Sequence, residues 1–384
     1  MRYRWAVLAA GTAAQASSAA TFAIGLPVLA PALREEYALS LHEIGIVLAA
    51  AWVGSMVTLL PWGLAADRFG ERVVLVSGLA GCAAFLAATA YARDVVSLVA
   101  LLALAGAAGS SVNSASGRAV MHWFGPDERG LALGIRQTAI PLGGLVAALC
   151  VPPLAGAGGS ELAFLFLAGL CAAGALVAAL VFRESEVVDG VEAATVLATL
   201  RDARLWRLCL GSSIFIYAQV AVIGFGVLFL HDEHGFSENR AALFLVGAQV
   251  LAVVLRVGAG RWSDVVGSRV GPLRLVGLVV AGSLLATGVL TDGPVWLLLV
   301  VLALAGGLSM GWNGLAFAAA AELAGARRSG AAIGFQQTVL SGYGVAAPVL
   351  FAATVSATSW TVAFLLAAVF PLAGWLSLRP LREH

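Results

Sequence analysis

Apolar residues run along this chain in long blocks separated by short polar turns. Blocks at roughly 5–33, 41–65, 73–92, 95–121, 130–154, 160–182, 205–230, 239–262, 273–291, 294–321, 330–354 and 358–378 are each long enough for a helix to cross a hydrocarbon core about 30 Å thick. The pattern predicts an all-α membrane protein with twelve transmembrane helices. The first block follows Arg2 and Arg4, as a signal peptide would. It is too long for one and carries Gln15, Pro27 and Pro31 without a small-residue cleavage site, so it reads as helix 1.

The only extended polar stretch, RESEVVDGVEAATVLATLRDAR at 183–204, divides the chain into predicted six-helix bundles at 1–182 and 205–384. It has room for a short amphipathic helix but not for a soluble domain. An even helix number puts both termini on one side. Most arginines of the loops and ends fall on that side, whereas only Arg34, Arg93 and Arg240 fall on the other, so both termini and the 183–204 linker are expected in the cytoplasm.

Composition agrees. Hydrophobic residues make up 61% and charged residues 11%, against about 25% charged in soluble domains. Net charge is +1 and every basic residue is arginine, with no polybasic tract for nucleic acid. The absent lysine, with abundant alanine and glycine, points to a GC-rich bacterial genome and hence a cell inner membrane. Cys82, Cys150, Cys171 and Cys209 fall singly in apolar stretches and read as packing residues, not metal ligands. No nucleophile with a base and no phosphate loop stands out, so no enzyme and no cofactor are expected.

The two halves repeat. At an offset of 197, Gly63, Asp67, Gly70 and Arg72 correspond to Gly260, Asp264, Gly267 and Arg269. At an offset of 200, Gly106, Asn113, Gly134, Gln137, Thr138 and Gly144 correspond to Gly306, Asn313, Gly334, Gln337, Thr338 and Gly344. A duplicated six-helix unit produces such matches directly.

Between helices 2 and 3, GLAADRFGER places Gly63, Asp67, Arg68, Gly70 and Arg72 in the pattern G-x-x-x-D-R-x-G-x-R, and GRWSDVVGSR repeats it at 260–269. This resembles the signature loop of the major facilitator superfamily, and the resemblance spans essentially the whole chain. It implies two pseudo-symmetric bundles that rock around a central site and expose it alternately to each side. In direct chemical terms, Gly63 allows close helix contact, Gly70 a tight turn, and Asp67 can meet a helix N-terminus across the bundle interface. Its expected targets are the start of helix 11 and Arg118 at the end of helix 4. Arg68, Arg72, Asp264 and Arg269 complete the expected gate.

Within QVLAVVLRVGAGRWSD at 249–264, Arg256 interrupts an apolar run eight residues before Asp264, roughly 12 Å from the helix end. An arginine at that depth demands a reason. Gln249 lies on the same face. The spacing resembles that of the nitrate/nitrite, oxalate/formate and monocarboxylate branches of the superfamily, in which a helix 8 arginine binds the substrate anion; Val257 stands where those branches often have proline. Helix 5 carries a second arginine, Arg136, and the family arrangement implies that Arg136 and Arg256 converge from opposite halves. The carboxylates all read as loop or helix-end residues, with Glu322 closest to an exception, so backbone, water or substrate must answer Arg256. Asn113, Gln137, Tyr217, Asn313, Gln337 and Tyr343 could complete a polar site, with Gln15, Gln219, Gln336 and Thr338 nearby. Each alone could equally be helix-packing glue.

The leading expectation is a secondary transporter, acting as a monomer in the lipid bilayer, that exchanges small anions, most plausibly organic carboxylates. The alternative is proton-coupled movement of neutral or lipophilic compounds, as in drug efflux. Drug and proton antiporters usually carry a membrane-buried carboxylate, and the apolar blocks show none.

Overall fold

The computed structural model describes residues 2–124, 132, 134–183, 201–325 and 329–381, and every regular element among them is a helix. Eleven of the described helices are long and apolar enough to cross a membrane. One of these, Gly134–Val181, has 48 residues, about 72 Å at the helical rise, or more than two bilayer cores. Its backbone breaks at Gly158 and at Gly159, where φ is 67°, and just beyond, the Ser160 N–H donates to Glu36 Oε2 at 3.3 Å. Counted on either side of that break, the apolar segments number twelve, as the hydrophobic pattern predicts.

We number the helices α1 (Tyr3–Glu36), α2 and α3 (the parts of Leu41–Thr89 before and after Gly70), α4 (Val95–Gly109 and Ser111–Trp123), α5 (134–157), α6 (160–181), α7 (Ala203–His234), α8 (Glu238–Val266), α9 (Val270–Val289), α10 (Val295–Ser309 and Asn313–Ala324), α11 (Ser329–Ala357) and α12 (Trp360–Leu378). They group into two compact units, Met1–Gly190 and Val191–His384. Of the 183–204 linker, residues 184–200 lie outside those described. The second unit's first helix begins at Ala203, two residues before the predicted start, because Asp202 caps it: Oδ1 accepts from the N–H groups of Arg204 and Leu205.

The sequence repeat is a structural repeat. A Cβ added to Gly106 on α4 would sit 2.2 Å from the Ala51 carbonyl oxygen of α2. The corresponding Gly306 of α10 faces Ala248 of α8 at 2.8 Å. Lipid offers helices no hydrophobic force to pair, so small residues that admit backbone contact decide where they cross. The irregularities repeat too. Each unit's first helix contains a π-helical turn, Ala20–Gly25 in α1 and Val220–Gly224 in α7. Helices α4 and α10 are interrupted at Ser110 and at Met310–Trp312. π turns and broken helices free backbone groups that must find partners elsewhere.

Candidate functional site

The break in α10 follows from its sequence, AGGLSMGW, in which Gly307 and Gly311 weaken the helix. Met310 and Gly311 make only tight turns, to the carbonyls of Gly307 and Leu308. Arg256 of α8 answers this break. Its Nε donates to the Met310 carbonyl oxygen at 2.9 Å. In the first unit neutral groups of α2 bond α4 one turn before its break: Thr58 Oγ1 and Trp62 Nε1 donate to the Ala107 carbonyl, the counterpart of Gly307, at 2.8 and 2.7 Å. In the second unit it is the cation of Arg256 that reaches the broken helix. Beside it are unused polar atoms. Gln249 is 1% exposed and neither atom of its amide has a hydrogen-bond partner, and Asn313 Oδ1 and Trp312 Nε1 are also buried without one.

Arg136 sits near the start of α5 and is buried. Its Nε donates to Ser116 Oγ at 2.9 Å and its Nη2 to the Asn113 carbonyl at 3.1 Å, both on α4. These partners are neutral, and among the described residues no carboxylate pairs with it. Its guanidinium thus turns onto the second segment of α4. The repeat places Gln336 at the equivalent position in α11, where Nε2 donates to Ser212 Oγ and Ser213 Oγ at 2.9 and 3.1 Å. Sequence reading missed Ser116, Ser212 and Ser213. Their signal was weak, since serine in an apolar helix usually bonds its own backbone.

The other candidates divide. Asn113 contributes its carbonyl to Arg136, and its side chain is half-buried, as are Gln137, Gln337 and Tyr343. Gln15 and Gln219 are close to the π turns, each with a buried amide oxygen that lacks a partner. Tyr217 stacks on Phe370 with ring centroids 3.6 Å apart and meets Phe351 edge-on, so its ring belongs to the packing of α7 against α11 and α12. Thr338 is exposed and returns its hydroxyl to the Gly334 carbonyl.

The signature loops are clamps, with corrections to their expected contacts. Gly70 has φ 80°, the left-handed backbone that glycine tolerates and the expected turn requires. Among the described residues, no heavy atom lies within 4 Å of where a Cβ on Gly63 would be, so no close helix contact is made there; on α2 such contact falls at Gly54. The side chain of Asp67 lies outside the described residues, and so do those of the first residues of α11. Arg118 pairs with Glu71, Nε to Oε1 at 3.3 Å. Glu71 follows the Gly70 turn, a loop position as expected, yet it is only 3% exposed. Arg68 lies over the Phe69 ring, and Arg72 is half-buried.

In the second unit Arg269 bonds Asp264, donates to Ser263 Oγ at 2.5 Å, and reaches Glu322 Oε1 at 2.9 Å on the end of α10. The charges are thus reversed between the repeats: acid on the loop and base on α4, base on the loop and acid on α10. These described contacts tie each loop to its own unit. Replacing Glu71 by Gln is expected to lower the stability of the purified protein by about 1–3 kcal/mol, because Arg118 loses a nearly buried counter-ion. The double exchange Glu71→Arg with Arg118→Glu is expected to recover part of it. Melting of the detergent-solubilised variants checks this, and an unchanged midpoint for Glu71→Gln would show that the pair does not hold the loop.

Twelve apolar segments in two repeated units, each with a clamped loop and an arginine bonded to a broken helix, define a membrane carrier of internally duplicated type. A family model of the Major Facilitator Superfamily matches residues 11–348, and the chain belongs to that family. It is a membrane transporter, not an enzyme, and its partner is a small-molecule substrate. An uncharacterized MFS-type transporter of Mycobacterium tuberculosis is 34% identical over 388 residues, covering 99% of this chain and 85% of its own. A probable sulfoacetate transporter of Cupriavidus necator is 27% identical over 278 residues, 66% of this chain and 63% of its own. Among solved structures, a bacterial homologue of the human lysosomal transporter Spinster superposes with a TM-score of 0.77 at 14% identity, covering 98% of this chain and 96% of that one, a likeness of fold.

Proposed function

We propose that this transporter carries a small organic anion, a carboxylate or sulfonate, across the cell inner membrane, with both termini cytoplasmic and the two bundles rocking around a central site. The observation that carries this reading is the buried guanidinium of Arg136, held by the neutral Ser116 hydroxyl and Asn113 carbonyl. A buried cation with neutral partners retains its charge for a ligand, and a guanidinium fork matches a carboxylate or sulfonate in two places. Arg256, which donates to the Met310 carbonyl at the α10 break, supplies the second cation, and Gln249 and Asn313 supply further polar atoms. Gln137, Gln337 and Tyr343 extend the site. The signature-loop residues Gly63, Asp67, Arg68, Gly70, Arg72, Arg118, Asp264 and Arg269 act as the cytoplasmic gate. The resemblance to a probable sulfoacetate transporter supports an acid as substrate.

Arginines stay charged throughout a transport cycle, and returning them without an anion through an apolar gate is costly. The carrier accordingly works as an exchanger. Proteoliposomes preloaded with one acid, or left empty, are presented with labelled carboxylates, sulfonates, nitrate and neutral compounds. Rapid entry of a labelled acid into the preloaded vesicles, at least about tenfold faster than into empty ones, is the expected result, a barrier difference of about 1.4 kcal/mol. Entry confined to neutral or cationic compounds overturns the anion reading. Strong accumulation into empty vesicles under an inward proton gradient overturns exchange alone.

A further inference from the structure

Two of the four cysteines, read from sequence as isolated packing residues, meet. Cys82 of α3 and Cys171 of α6 are both 0% exposed, and their sulfurs are 3.6 Å apart, in van der Waals contact. Their surroundings are where the first unit is least regular. The Cys171 thiol lies 3.7 Å from the Ser17 carbonyl and 3.9 Å from Thr21 Oγ1, at the π turn of α1. The sulfur of Cys82 abuts Gly109, the last residue before the break in α4: a Cβ there would be 3.2 Å from it. Four helices, the π turn of α1 and the break in α4 therefore converge on one sulfur pair. The bland alternative is that two small apolar side chains fill a gap.

We propose that Cys82 and Cys171 are a modification site, a dithiol that a small neutral peroxide closes to a disulfide, joining α3 to α6 beside the α1 π turn. The approach needed is short. A disulfide sets its sulfurs about 2.05 Å apart, so closure asks for about 1.5 Å, which side-chain rotation on two packed helices can supply. In the reaction one thiol takes an oxygen from the peroxide and becomes a sulfenic acid with release of one water. The other sulfur then displaces the sulfenic hydroxyl as a second water, its proton leaving with it. Two thiols lose two electrons and two protons, and the peroxide is reduced to water. The Ser17 carbonyl, already facing the Cys171 thiol, is placed to orient that proton. Closure ties together residues 89 positions apart and fixes the helix pair against which the π turn rests.

The test uses the full chain in membranes, treated with hydrogen peroxide, then unfolded and alkylated so that free thiols are counted by intact mass. Untreated protein is expected to show four labelled thiols, as all four cysteines are free. After peroxide, two should remain, with a cross-linked Cys82–Cys171 peptide that dithiothreitol releases. Cys82→Ser and Cys171→Ser should each keep their three labelled thiols, whereas Cys150→Ser should fall from three to one. Retention of all four in the natural sequence, or a bridge through Cys150 or Cys209, overturns the proposal. These readouts require no transport substrate, so they stand apart from the anion reading.

Discussion

Arg256→Lys is expected to leave the protein folded and inserted but to abolish most transport, with anion affinity at least about 100-fold weaker, since a desolvated charge-assisted contact is worth upwards of about 2–3 kcal/mol. The lysine is the informative replacement because its ammonium can still donate to the Met310 carbonyl that Arg256 Nε serves at 2.9 Å. The α10 break keeps its partner, while the planar fork that grips a carboxylate in two places is gone. Arg256→Ala should lose transport too, and also stability, by about 1–3 kcal/mol, because the Met310 carbonyl then loses a donor inside the bundle. Ligand binding and melting, measured on the same preparations, separate the two effects. Full activity of either variant in proteoliposomes removes Arg256 from the substrate site.

The second large effect is expected at Arg136, and the repeat suggests which variant to make. Gln336 occupies the equivalent position in α11 and bonds two serine hydroxyls of α7, so an amide is compatible with this place in a six-helix unit. Arg136→Gln should shift the melting midpoint only modestly while weakening anion binding about 10- to 100-fold, the cost of one charge-assisted hydrogen bond. Titration of the purified variant with the best acid from the vesicle experiment checks it. Unchanged affinity with a large drop in melting temperature would show that Arg136 is a structural tie between α4 and α5, with Ser116 and Asn113 as its purpose.

The two loop clamps carry reversed charges. Glu71 to Arg118 and Arg269 to Glu322 hold each loop on its own bundle, so a clamp can keep its loop in shape whichever way the bundles tilt.

The pattern of residues along the chain was enough for the class of protein, the number of apolar crossings, the duplication, the signature loops and the depth of Arg256 in its helix. Bilayer thickness sets the length of a span, and the absence of water makes every backbone group bond within it, so both constraints are written in one dimension. Gly70 was legible for the same kind of reason, since its turn is local. The tertiary structure alone decided the partners. Core-facing and lipid-facing residues are equally apolar in such helices, so periodicity does not reveal how each helix is rotated or how far it is offset against its neighbours. That hid the meeting of Cys82 with Cys171, of Glu71 with Arg118 and of Arg136 with Ser116. It also hid why Arg256 bonds Met310: the freed carbonyl exists only where α10 breaks, and the crossing at Gly306 and Ala248 brings α8 against it.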